Sequence, residues 1–395
     1  FASRIHRAIV EAPEGCRHRM IRPLVDDERV TAQLQGLRSY RATVRAGLKG
    51  LKVLEREIRT YPNGSYLAHV LGRAPADDSG KAGGHGVECA FEDSVRAGEV
   101  TVEVQREGGI QRACRAPRVV DTARTAGRDL ALTVDVVIQH ALEAALDDLE
   151  AAWAPPFCTG VVLDPRTGEL LALASRPSFD PARDKGTFNH AVQGLYAPGS
   201  LFKPFVIAHG LALGVVQPHE RVEMPVRRAF SWRRHVRVVS DSHPTADWDG
   251  YGDLPRVIGH SSNPATAGIL WRTMEVVGPD GTIRRSVEPV RHLMASLGFD
   301  GPVGIELCGD RPARYDASQG PWNPLYPTLG FAFGQSFDIS PLRMACCLAA
   351  FARDDARIVK PTVLPGGGGP RMDLPPVCVD PAHLAVVRAG LAQAV

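Results

Sequence analysis

The stretch from Leu130 to Ala174 constrains the fold more than any other part of this chain. Leu130-Ala-Leu-Thr-Val is a strand-like run that ends at Asp135, a residue suited to cap a helix N-terminus. Ile138, Leu142, Ala145, Leu146, Leu149 and Trp153 then recur at helical spacing, which predicts an amphipathic helix with one buried face. Thr159-Gly-Val-Val-Leu, the turn Asp164-Pro-Arg-Thr-Gly168 and Leu170-Leu-Ala-Leu-Ala follow as a hairpin. Antiparallel strands after a long helix require a sheet with helices packed on it, so the chain reads as α+β. Further helices are expected at 200–214, 264–276, 286–297, 341–353 and 381–395. The longest apolar run, Met344–Ala352, is far too short for a bilayer and reads as buried helix.

Composition narrows the function. With 395 residues, 44% hydrophobic and 23% charged, the chain has enough apolar material for a large core. A net charge of +2 argues against a dedicated nucleic-acid binder. The first thirty residues carry Arg4, Arg7, Arg17, Arg19 and Arg22 without an apolar segment, so no signal peptide is read there. Residue 1 is Phe, and that absence therefore says nothing about an upstream anchor. Eight cysteines include no C-x-x-C pair, so no structural zinc site is expected. Cys346 and Cys347 read as small core residues, and nothing in the spacing marks disulfide pairs. The first 128 residues are rich in Arg and Gly. The alternation in Val100–Gln105 and turn signals at Pro62-Asn-Gly and Gly83-Gly-His-Gly predict a β-rich or α+β unit there, with a boundary near residue 129.

The sharpest chemical feature is Tyr196-Ala-Pro-Gly-Ser-Leu-Phe-Lys-Pro-Phe205. Pro198 and Gly199 break the chain, which puts Ser200 at a helix N-terminus with Lys203 on the same face. A lysine whose charged form is disfavoured by burial can take a serine proton. Alone the spacing is weak: eighteen serines and six lysines give about 0.3 chance pairs, and one is present. Sixty-one residues after Ser200, His260-Ser-Ser-Asn-Pro264 precedes another helix. Ser261 and Asn263 can there aim a hydroxyl and an amide into one cleft, although such a cluster also reads as an N-cap.

Together these residues resemble the S-x-x-K and S-x-N motifs of penicillin-binding transpeptidases. The resemblance runs along nearly the whole chain. Arg59-Thr-Tyr-Pro-Asn-Gly, His69-Val-Leu-Gly and Gly83-Gly-His-Gly-Val-Glu88 look like the non-catalytic pedestal of the class B enzymes. Leu132-Thr-Val-Asp, Asp164-Pro-Arg-Thr-Gly-Glu and Arg176-Pro-Ser-Phe-Asp-Pro181 resemble the opening of their catalytic domain. Gly334-Gln335, Ile339-Ser-Pro-Leu-Arg and Val359-Lys-Pro-Thr look like the stretch after the second motif. Ser-Leu-Phe-Lys stands where relatives usually have Ser-Thr-Phe-Lys. The third motif, K-[ST]-G, is missing: none of the six lysines is followed by Thr-Gly or Ser-Gly. In relatives it lies a few tens of residues beyond a helix like the last one here. The expectation is a piece of a longer chain, clipped at both ends.

The resemblance implies a β-rich pedestal at 1–128 and, at 129–395, a transpeptidase domain with an antiparallel sheet, helices on both faces and a helical subdomain. It implies a D,D-transpeptidase in which Ser200 is the nucleophile, Lys203 the base, Ser261 the proton relay and Asn263 the positioning amide. No cofactor or metal is implied. The expected partners are peptidoglycan stem peptides, β-lactams and a membrane glycan polymerase. The implied location is the extracytoplasmic face of the cell membrane, with an N-terminal anchor outside this chain. A silent scaffold and a penicilloyl-serine hydrolase (a β-lactamase or carboxypeptidase) are the alternatives. Arg227, Arg228, Arg233, Arg234, His235 and Arg237 around Trp232 lack a family explanation. They read as a solvated basic loop or strand, or as a contact for anionic lipid or wall polymer.

Overall fold

The computed structural model describes residues 59–74, 85–95, 101–102, 104–107, 110–113, 119–121, 128–184, 188–232, 234–241, 250–277, 279–315 and 328–394. The chain separates into a unit of residues 1–60 and a unit Tyr61–Val395. In the second unit Asp135 caps the helix Val136–Trp153, its carboxylate accepting the Val137 and Ile138 N–H groups at 2.8 and 3.0 Å. Next, Cys158–Leu163 pairs antiparallel with Leu170–Arg176, as the alternation of turn and apolar residues predicts. The turn is tied by Gly168 N–H to the Asp164 carbonyl at 2.8 Å and Arg166 N–H to Asp164 Oδ1 at 2.7 Å. Gly168 has φ +76°, and a Cβ there would lie 2.2 Å from the Lys360 carbonyl oxygen. Only glycine fits.

The outer edge of the second strand is covered, which explains two of the sequence segments singled out above. Leu170 N–H donates to the Thr362 carbonyl and Asp135 N–H to the Leu171 carbonyl, each at 2.9 Å. Gln139 completes the cover: its amide accepts from Leu173 N–H at 2.9 Å and donates to the Leu173 carbonyl at 3.1 Å. This corrects the expected helix face. Leu146 is buried and Ile138 and Leu142 half-buried, but Leu149 is 41% exposed and Trp153 81%. The helix is turned so that Gln139 and Glu143 meet the strand, where backbone groups and a buried arginine need polar partners. That arginine, Arg176, pairs with Glu143 at 2.8 Å and Asp147 at 2.7 Å.

The other expected helices form at Lys203–Ala212, Asn263–Thr273, Glu288–Ser296, Pro341–Ala352 and Pro381–Gln393. A short helix, Leu254–Gly259, was not expected; the last helix packs against it, with Gly390 close enough that a Cβ would lie 2.7 Å from Ile258. Cys346 and Cys347 are core residues, each 1% exposed. Ser340 caps Pro341–Ala352, and the buried Arg343 of that helix donates to the carbonyls of Gly298 and Gly301. The Ile339-Ser-Pro-Leu-Arg segment is thus a structural device.

The alternating stretch at 100–105 carries the strands Thr101–Val102 and the start of Val104–Glu107; their partners, Val119–Asp121 and Ile110–Ala113, were not expected from the sequence. Val100 and Glu103, like Gly83 and Gly84, lie outside the described residues. So do Cys16, Cys114, Arg233 and the first thirty residues. Segments 61–74 and 85–95, read from sequence with the N-terminal unit, share the compact unit of the hairpin, because Val70 and Val87 are buried in its hydrophobic core. The basic cluster forms a hairpin, Arg227–Trp232 with His235–Ser240. Arg228 pairs with Glu223 at 3.7 Å, and the Arg237 guanidinium lies 5.7 Å from the Phe333 ring centre. Among the described residues no helix is long and apolar enough to cross a membrane.

Candidate active site

Ser200 sits on a single 3-10 turn, Gly199–Phe202, that runs straight into Lys203–Ala212. Side-chain direction follows from the pattern Ser-Leu-Phe-Lys. Ser200 and Leu201 face outward, while Phe202 and Lys203 are 1% and 2% exposed. Phe202 anchors the turn among aromatic rings, edge-on to Phe337 at 4.7 Å and stacked near Phe205 at 5.7 Å. A second brace comes from Gly334, whose carbonyl accepts Gly199 N–H at 3.0 Å. Gly334 has φ +70°, and a Cβ there would lie 2.2 Å from the Gly199 carbonyl oxygen. Close backbone approach thus fixes the serine turn and accounts for the glycine.

The second motif arrives from the short helix Leu254–Gly259. Asp253 caps that helix through Arg256 N–H at 2.9 Å, and the chain then folds back through Ser261 in the left-handed region at φ +56°. That bend puts Ser261 over the lysine. Lys203 Nζ donates to the Ser261 carbonyl and lies 2.8 Å from Ser261 Oγ. Burial disfavours the ammonium and lowers the Lys203 pKa from 10.5 to about 8, while the charge of Asp241 opposes the shift. A neutral lysine is thus accessible near physiological pH, which an ordinary lysine is not.

Asp241 had no signal in the sequence. It follows the strand His235–Ser240 and its carboxylate grips the second motif from outside. Oδ1 accepts Asn263 N–H at 2.6 Å and Oδ2 accepts the Ser262 hydroxyl at 3.1 Å. Ser262, fully buried, in turn caps Asn263–Thr273. Burial raises the Asp241 pKa, against the hydrogen bonds from Asn263 and Ser262 and the charge of Lys203. The Asn263 amide donates to the Ser240 carbonyl at 3.2 Å. Among the described residues no hydrogen bond joins Asn263 to Lys203.

Three of the four residues flagged by spacing are therefore linked by two routes, while the Asn263 side chain is held on the Ser240 carbonyl. Ser200 and Lys203 share a turn; Lys203 and Ser261 touch across 58 positions of sequence. Among the described residues no hydrogen bond joins Ser200 Oγ to Lys203 or Ser261; what stands together is a buried amine against one serine hydroxyl, three residues along the chain from an exposed serine.

The hairpin is antiparallel and flanked by a helix, one serine lies on a helix-opening turn, and the buried lysine is held against a second serine. The penicillin binding protein transpeptidase domain matches residues 158–365, and the chain belongs to that family. Stage V sporulation protein D of Bacillus subtilis is 32% identical over 317 residues, covering 77% of this chain and 44% of the relative. The probable peptidoglycan D,D-transpeptidase PenA of Neisseria meningitidis is 38% identical over 314 residues, covering 76% and 48%. Penicillin binding protein 3 of Mycobacterium tuberculosis, solved in complex with aztreonam, shares the fold with a TM-score of 0.60 at 23% identity. That match covers 84% of this chain and 68% of the solved one. The chain spans less than half the length of the two curated relatives.

Proposed function

We propose that the protein carrying this chain is a class B peptidoglycan D,D-transpeptidase that also binds β-lactams covalently. The observation that carries the reading is Lys203: an amine 2% exposed, three residues from Ser200 and 2.8 Å from Ser261 Oγ. Ser200 Oγ attacks the carbonyl of the penultimate D-Ala of a stem peptide while Lys203 takes its proton. The peptide bond to the terminal D-Ala breaks, an ester forms on Ser200, and Ser261 passes the proton to the leaving amine. An amine from a second stem peptide then attacks the ester, releasing Ser200 and closing the crosslink. Asn263 positions the substrate. With one N–H held by the Ser240 carbonyl, its second N–H and its oxygen are the groups that would meet the substrate.

Residues 1–128 are assigned to a pedestal and 129–395 to the transpeptidase domain. The working site is the outer face of the bacterial membrane, with an upstream anchor and a membrane glycan polymerase as partner. The relatives' printed names, peptidoglycan D,D-transpeptidase and sporulation protein, support this class of activity. The test is labelling of the full-length protein with a fluorescent penicillin. Ser200→Ala is expected to abolish the covalent adduct and leave the melting temperature within about 2 °C, since the replaced side chain is exposed. An adduct on Ser200→Ala, or steady hydrolysis of penicillin by the native protein, overturns the assignment.

A further inference from the structure

Between Arg227 and Ser240 the basic hairpin carries five arginines, one histidine and no acidic residue, in a chain whose net charge is +2. The rest of the chain is therefore net negative. Two of these arginines serve the fold. Arg228 pairs with Glu223 at 3.7 Å and its guanidinium lies 5.5 Å from the Phe230 ring centre, while Arg237 lies against Phe333. They share the inward face with Phe230 and Val239, both buried, and Phe230 meets the Trp271 ring edge-on at 5.6 Å. Arg227, Arg234 and His235 do none of this. All three are exposed, and among the described residues none of their side chains has an ion-pair partner.

The opposite face is open. Register pairs Arg227 with Ser240, Ala229 with Val238 and Ser231 with Val236, and all six are exposed. Val236 is 59% exposed and Val238 49%, with Val226 at 41% just before the strand. This face is apolar along its middle, with Arg227 at its base and Arg234 and His235 at its tip. Valine suits any strand, so its exposure alone selects nothing. A second hairpin, Glu275–Val277 with Ile283–Arg285, also exposes Val277 and Ile283. There, however, Arg285 is paired with Glu275 at 2.6 Å, and Asp280 in the turn offsets Arg284. The first hairpin joins exposed valines to positive charge and has no acid of its own.

That combination selects the partner. A soluble polyanion would engage the arginines and gain nothing from Val236 and Val238. A lipid surface takes both: apolar side chains enter the boundary between headgroups and acyl chains, and arginines meet anionic headgroups from the same side. We propose that the outward face of the Arg227–Ser240 hairpin docks on an anionic lipid bilayer. The contact uses no part of the Ser200 site. That the bilayer is the outer face of the cell membrane rests on the transpeptidase reading above; that the hairpin binds anionic lipid does not.

The experiment sediments the 395-residue chain with vesicles of phosphatidylcholine, pure or with about one-third phosphatidylglycerol, at low and high salt. Binding is expected on the anionic vesicles and should weaken with salt. Arg227→Gln combined with Arg234→Gln should weaken it about tenfold or more, each arginine near an anionic surface being worth about fivefold. Val236→Thr combined with Val238→Thr leaves every charge in place and should weaken it about threefold or more. Threonine keeps the branched shape and the strand preference, and all four side chains are exposed, so both variants should melt within about 2 °C of the native chain. Basic segments elsewhere are identical in the three proteins, so their differences isolate the hairpin. Equal binding by all three, no binding by the native chain, or equal binding to pure phosphatidylcholine overturns the proposal. So does loss in the arginine variant with none in the threonine variant, together with displacement by soluble poly-glutamate; the face would then belong to a polyanion. Penicillin labelling of the full-length protein is read separately: its loss counts against the transpeptidase reading and leaves the vesicle result standing.

Discussion

The depressed pKa of Lys203 makes a quantitative claim about rate. At a pKa of about 8, roughly one lysine in eleven is neutral at pH 7. At the ordinary 10.5 the fraction would be about one in three thousand, so the site gains roughly 300-fold in available base. Acylation by a β-lactam should therefore rise about tenfold per pH unit below 8 and level off above it. Asp241 supplies the perturbation. Its charge favours the protonated lysine, so Asp241→Asn should lower the Lys203 pKa further and move the limb to lower pH. The amide keeps the clamp, accepting from Asn263 N–H and donating to Ser262 Oγ. Because one lysine in eleven is already neutral, the gain at pH 7 is bounded at about tenfold, and none is expected above pH 8. The assay is the second-order acylation rate with fluorescent penicillin from pH 5.5 to 9.5, in native and substituted protein. A flat native profile, a limb near 10.5, or a shift to higher pH in Asp241→Asn would refute the reasoning.

Two further outcomes test the scaffold. Gly334→Ala places a Cβ 2.2 Å from the Gly199 carbonyl oxygen at φ +70°. The cost should be at least about 1–2 kcal/mol, with acylation slowed tenfold or more; native acylation in a folded variant would show that the serine turn does not depend on this contact. His209, 8% exposed, has Nε2 without a partner among the described residues, and burial lowers its pKa from 6.5 to about 4. The unfolded chain binds this proton first as pH falls. Stability should therefore drop between pH 6.5 and 4 by up to about 3 kcal/mol from this group. Urea unfolding of His209→Gln should show a shallower loss over that window, and an unchanged slope would contradict it.

What the chain makes legible is what sits within a turn or two. Helical spacing and caps announced the helices at 136–153, 203–212, 263–273 and 341–352, because a cap and an apolar repeat act on neighbouring residues. Ser200 with Lys203 was readable for the same reason: i and i+3 share a face whatever the rest of the chain does. Ser261 and Asn263 were readable as a local cluster. Their working geometry was not. Nothing local shows that Ser261 bends through φ +56° to cover the Lys203 amine, or that Asp241 holds Asn263 from 22 positions upstream.

The helix Val136–Trp153 shows the same division. Its apolar spacing determined that a helix forms; which side meets the sheet was decided by Arg176 and the Leu173 backbone, which draw Glu143 and Gln139 inward and leave Trp153 exposed. By itself, then, the sequence determined the elements and the reactive groups, because propensity, capping and i+3 spacing are local. The tertiary structure decided the amine's charge, its partner hydroxyl and the carboxylate that holds the second motif, because burial and long-range contact exist only after folding.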